Sequence, residues 1–124
     1  MNNYVEYPGH YGGHLECILA ERYSYTLGNA IKYVWRHEAK GHPEEDLDEA
    51  LWYLALADRN QEPALPTAPL ISFGPTTPGL LRQLADVDFA HAKPFWLGLL
   101  KGGPIPELIQ VIQKIKERQA WHER

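Results

Sequence analysis

Five prolines within sixteen positions, Pro63, Pro66, Pro69, Pro75 and Pro78, most constrain what this chain can fold into. Each removes an amide donor and fixes its own backbone φ, so the stretch Glu62 to Gly79 reads as an extended connector and not as a helix or an inner strand. Its apolar residues Leu65, Leu70, Ile71 and Phe73 predict that it lies along a surface instead of floating free. Regular structure is thereby confined to the two flanks, and neither flank carries an alternating strand pattern.

On both sides the apolar period is helical. Ahead of the connector, helices are predicted from about Gly13 to Arg22, Tyr25 to Glu38 and Glu44 to Arg59. Pro43 suits the first turn of the third, and Glu44, Glu45 and Asp46 sit where the positive end of a helix dipole favours negative charge. After the connector, helices are predicted from about Gly79 to His91, briefly after Pro94, and from about Pro106 to Trp121. The last spaces Ile105, Leu108, Ile112 and Ile115 along one face, which must lie against either its own chain or a second copy. The expectation is an all-α protein: residues 1–60 as a helical domain that handles the ligand, 61–79 as connector, and 80–124 as a helical extension for packing or oligomerisation.

At 124 residues, one core can bury enough surface to fold without a metal or a disulfide. The lone Cys17 cannot close an internal bridge and reads as a small core residue; no apolar run approaches the ~20 residues needed to span a bilayer. A soluble, cytoplasmic protein is expected. The net charge of −4 argues against general binding to nucleic acid, and no sequence-specific contact with it is expected. Charge is nonetheless uneven: residues 1–62 hold five Lys+Arg against eleven Asp+Glu, and residues 63–124 hold seven against five.

At 100° per residue, Tyr25, Asn29, Lys32, Arg36 and Lys40 fall within about 80° on the second helix, provided that it persists so far. Leu27, Ile31, Val34 and Trp35 take the other side, so this cationic, hydrogen-bonding stripe faces outward. It is either a solvated face paired with the acidic third helix or a site for an anion, with Lys as point charge and Arg as fork. On the third helix, Asp46 and Glu49 are either dipole partners, or meet Lys32 and Arg36, or hold Mg²⁺ beside a phosphate. The segment from His10 to Cys17 has the glycines of a close backbone approach and some possible ligands, but no second cluster completes a metal site, and no Walker phosphate loop occurs in the chain.

The motifs then fall in a recognisable order. His10-Tyr11, Gly12-Gly13 and Leu15-Glu16-Cys17 precede Leu27-Gly28-Asn29-Ala30-Ile31-Lys32-Tyr33 and Trp35-Arg36; Lys40-Gly41, Glu45-Asp46-Leu47, Ala50 and Trp52-Tyr53-Leu54 follow. Over roughly residues 8–58 this closely resembles a family of small phage proteins catalogued as a domain of unknown function, many of whose members are labelled phage nucleotide kinase. The resemblance implies an α-helical protein that binds or acts on nucleotides, with phosphorylation of nucleoside monophosphates as the attached activity. Carried over by position, it points to His10, Tyr11, Glu16, Asn29, Lys32, Tyr33, Arg36, Lys40 and Asp46.

Three hypotheses stand together. In a nucleotide kinase, Lys32 and Arg36 neutralise phosphate oxygens, Asn29 and Tyr33 orient the ligand, and Asp46 positions a metal, expected to be Mg²⁺ arriving with the nucleotide, or an acceptor hydroxyl. In a non-catalytic binder that sequesters a nucleotide, for example a host-defence signal, the same stripe acts with Tyr11, Trp52 or Tyr53 stacking on a base. In a structural protein, Phe89, Phe95, Trp96 and Trp121 form a subunit surface. A homo-oligomer in the host-cell cytoplasm is expected.

Overall fold

The computed structural model describes residues 15–39, 41–67 and 75–122, with side chains from Ile18 to Ala120 within them. The protein is all-α: the described residues form α1 (Leu15–Ala20), α2 (Tyr25–Arg36), α3 (Pro43–Arg59), α4 (Thr77–Asp86), α5 (Lys93–Lys101) and α6 (Ile105–His122), with a 3₁₀ turn at Phe89–His91 and no strand. No helix among them is long and apolar enough to cross a membrane.

Helix starts follow local chemistry. Ser24 caps α2, its hydroxyl accepting from the Leu27 amide at 3.1 Å and donating to Glu62 Oε1 at 2.5 Å, so the same side chain ties the cap to the head of the connector. Pro43 opens α3 ahead of Glu44, Glu45 and Asp46. Thr76 caps α4 by accepting from the Gly79 amide at 3.1 Å, with Pro78 in the first turn. This cap starts α4 at Thr77, two residues inside the stretch expected to be connector.

The connector's ends are anchored to the body of the protein. Buried Arg22 donates to the Pro75 carbonyl at 2.6 Å and to Thr77 Oγ1 at 3.3 Å, while the Thr67 amide donates to the Arg22 carbonyl at 2.7 Å. The apolar contact comes from Ala64, which is buried; Leu65, expected to pack, is 52% exposed, and Leu70, Ile71 and Phe73 lie outside the described residues.

α2 packs between α1 and α3, and α3 in turn packs on α6. Ile105, Leu108, Ile112 and Ile115 are buried, so the apolar face of α6 is covered by its own chain and not by a second copy. Lys116 Nζ also pairs with Asp48 Oδ1 of α3 at 2.5 Å. Phe95 and Trp96 of α5 are completely buried, Trp96 against Phe89 and Trp35 and Phe95 against Trp96. Phe89, Phe95 and Trp96 therefore belong to the core and do not form the subunit surface considered for them; the Trp121 side chain lies outside the described residues.

Two expected helices end early. α2 stops at Arg36 and gives way to a turn, with Gly41 at φ +80°, so the helical stripe cannot run on to Lys40, which is itself outside the described residues. The helix expected to reach His91 ends at Asp86, because Asp88, Ala90 and His91 take the left-handed conformation at φ 49°, 55° and 54°. Side-chain bonds hold this unfavourable backbone: the Trp96 indole donates to the Phe89 carbonyl, Asp88 accepts from the Lys93 amide, and Arg118 donates to the His91 carbonyl, each at 3.0 Å.

Candidate functional site

α2 is strongly amphipathic. Leu27, Ala30, Ile31 and Val34 are buried, and the opposite face carries Tyr25, Asn29, Lys32 and Arg36. Gly28 brings α1 close, since a Cβ there would lie 2.6 Å from the Ala20 carbonyl oxygen. Beside that crossing opens a pocket of about 290 Å³, lined by Glu21, Tyr23, Ser24, Tyr25, Asn29 and Lys32 with Ala20 and Gly28 at its floor. Lys32 is exposed and no ion pair engages it among the described residues. The Asn29 amide donates to the Tyr25 carbonyl at 2.8 Å, and no described residue donates to its oxygen.

Aromatic side chains from α2 and α3 adjoin the pocket. Tyr33 stacks on Tyr53 with centroids 6.1 Å apart and 17° between planes; Tyr25 and Trp52 meet the Tyr53 ring edge-on at 6.5 and 5.0 Å. Tyr25 is 80% exposed and Trp52 59%, large apolar surface to leave in water. Partial loss of hydration, with the neighbouring Tyr25 and Tyr33 phenols and a hydrogen bond to Tyr25, raises the Tyr53 pKa above its ordinary value.

One turn beyond Lys32, Arg36 crosses to α3. Its Nε lies 3.5 Å from Asp46 Oδ2, and its guanidinium carbon sits 5.5 Å over the Tyr33 ring. Asp46 is only 5% exposed, and Oδ2 has no hydrogen-bond partner. Of the roles considered for Asp46, the structure shows the contact with Arg36. A carboxylate so buried does not suit a metal that keeps water in its shell, and no group of three or more His, Cys, Asp or Glu among the described residues could hold one.

The structure thus brings Asn29, Lys32, Tyr33, Arg36, Asp46 and Tyr53 onto one side of the α2–α3 pair. His10, Tyr11, the Glu16 side chain and Lys40 lie outside the described residues.

Sequence reasoning missed two histidines. His37 is completely buried, its Nδ1 2.6 Å from the Val34 carbonyl and its Nε2 without a partner; burial lowers its pKa below the ordinary imidazole value, against smaller raising effects of that bond, Glu38 and Asp46. His91 Nδ1 meets Glu38 Oε2 at 2.6 Å, and a second pocket of about 330 Å³ lies among Glu38, His91, Arg118 and Gln119. No spacing in the chain signals a pair separated by 53 residues and set by a left-handed turn.

No curated protein and no solved structure matches the chain. A family profile matches residues 5–55, a segment that contains α1, α2, most of α3 and all the residues of the cationic and aromatic face. Over that segment the chain is similar to an uncharacterised domain family, DUF3310, described as a protein of unknown function.

Proposed function

We propose that this protein binds a nucleotide on the outer face of α2. The observation that carries the reading is the pocket beside Gly28, in which an exposed Lys32, with no ion pair among the described residues, and the Asn29 amide adjoin the exposed Tyr25 ring. Charge sets the ligand's direction: the Glu21 carboxylate repels phosphate at one end and can accept from a sugar hydroxyl, while Lys32 and then Arg36 offer charge-assisted bonds at the other. Tyr25, or Trp52 beside Tyr53, supplies a face for the base.

Capture and phosphate transfer share this ligand. The resemblance to phage proteins labelled nucleotide kinase favours transfer between nucleotides, with Mg²⁺ carried by the phosphates. The engagement of Asp46 by Arg36 favours capture, because it takes up the carboxylate that the kinase reading assigns to the metal or the acceptor hydroxyl. In the cytoplasm of an infected cell, capture would withdraw a nucleotide signal. The exposed Trp52 and Tyr25 also form the best surface for the homo-oligomer expected from the sequence, and light scattering with and without ligand tests that association.

Calorimetry at low salt with a panel of nucleoside mono-, di- and triphosphates, followed by mass spectrometry of bound and free nucleotide after incubation of each monophosphate with ATP and Mg²⁺, tests the reading. Binding that Lys32→Ala weakens by about tenfold or more is expected from the loss of one charge-assisted contact. Unchanged bound nucleotide identifies capture, and new diphosphates identify transfer. Absence of heat with every nucleotide would refute both.

A further inference from the structure

Arg36 is restrained on two sides and open on a third. Its Nε faces the buried Asp46 carboxylate at 3.5 Å, and its guanidinium face lies over Tyr33, itself backed by Tyr53. The side chain is 45% exposed, and nothing else among the described residues engages its two terminal amino groups. A buried carboxylate beside an arginine is a poor source of stability, since desolvation offsets the attraction. It is, however, an effective way to fix a planar fork, whose five donors keep a set geometry once one edge is held.

Lys32 lies four residues earlier on the same face, and residues so spaced on a helix have Cβ atoms about 5–6 Å apart. An isolated phosphate satisfies one of these cations well; two linked phosphates can satisfy both. We propose that Asp46 is a positioning residue that holds the Arg36 fork outward, and that Lys32 and Arg36 together form a site for a diphosphate group. The preferred nucleotide is then a nucleoside diphosphate or a longer phosphate ester. The nucleoside part of this statement rests on the nucleotide-binding reading; the diphosphate part does not.

Inorganic phosphate and pyrophosphate test the site without any base. Calorimetry on the full chain is expected to show pyrophosphate binding about tenfold tighter than phosphate, as a second charge-assisted contact implies. Arg36→Ala and Arg36→Lys both reduce that preference to about threefold or less, because a lysine keeps the charge and loses the fork. Asp46→Asn weakens pyrophosphate binding by about fivefold in the wild-type background and by less than twofold beside Arg36→Ala, the pattern of a residue that acts only through another. Circular dichroism checks that Asp46→Asn folds; should it not, Asp46→Glu, which keeps the charge and displaces the carboxylate, takes its place in the same two backgrounds, and the exposed Arg36→Lys still decides the diphosphate site.

Equal binding of phosphate and pyrophosphate, or a full preference in Arg36→Lys, would overturn the diphosphate site. An equal loss from Asp46→Asn in both backgrounds would overturn its positioning role. Pyrophosphate binding with the expected pattern and no binding of any nucleoside phosphate would uphold the site and refute the nucleotide reading alone.

Discussion

Gly28→Ala and Gly98→Ala make the same chemical change in two helices and should differ in outcome. Both residues lie inside helices, where replacing glycine by alanine contributes about 0.8–1 kcal/mol of helix propensity. At Gly28 the new methyl would lie 2.6 Å from the carbonyl oxygen of Ala20, a backbone atom of α1 that moves only if the helix moves. At Gly98 it would lie 2.5 Å from Leu108 Cδ2, the tip of a side chain that can rotate. Overpacking costs about 1–3 kcal/mol, with the upper part of that range applying where backbone must shift. The balance is a net loss of about 1–2 kcal/mol for Gly28→Ala and a change within about 1 kcal/mol of zero for Gly98→Ala. At this chain length that is a fall of roughly 3–8 °C in the thermal midpoint for the first and little for the second. Urea unfolding of both variants beside the parent measures the difference. Gly28 also lines the pocket proposed to hold the nucleotide, and on that proposal its variant binds nucleotide more weakly. A Gly28→Ala protein at least as stable as Gly98→Ala would refute the close α1–α2 crossing and the pocket built beside it.

Three other variants report on buried polar groups. The lowered His37 pKa means that the unfolded chain takes up a proton first, so stability is complete above the ordinary imidazole value near 6.5 and falls as pH drops below it; in His37→Gln, urea midpoints between pH 7.5 and 5.5 should fall less than in the parent. Trp96→Phe removes the indole that donates to the Phe89 carbonyl and opens space around a fully buried ring, costing about 2–4 kcal/mol by denaturant unfolding, and an unchanged midpoint would contradict the support assigned to the left-handed turn. Tyr23→Phe deletes a buried hydroxyl that has no partner and whose pKa burial pushes up to about 12, so stability should hold or rise by about 1 kcal/mol; a loss beyond that would show the hydroxyl to be bonded.

The helix order was legible because its signals are local. Pro43 and Pro94 each sit in the first turn of a helix that the sequence predicts, whereas Pro78, read as connector, lies in the first turn of α4; the apolar period of α2 and α6 names the buried faces that the structure shows. The outward set Tyr25, Asn29, Lys32 and Arg36 follows from the same period, without knowledge of any neighbour. Misreadings came where the chain departs from a period: α2 halts at Arg36, short of Lys40, and α4 ends before three left-handed residues, none of them glycine. Asp88, Ala90 and His91 give no sign of that conformation, since it is imposed by Trp96, Lys93 and Arg118 from elsewhere in the chain.

Residue types and spacing alone thus determined the all-α class, the faces of the helices and the residues that look outward from α2. Which of those residues act together was decided only by tertiary contact. Asp46 could have been solvated at a helix start, yet the packing of α3 on α2 buries it against Arg36, and the close approach of α1 to Gly28 makes a pocket out of part of an exposed stripe. Periodicity reports the angle at which a side chain leaves its own helix; burial and partnership depend on the second helix laid across it.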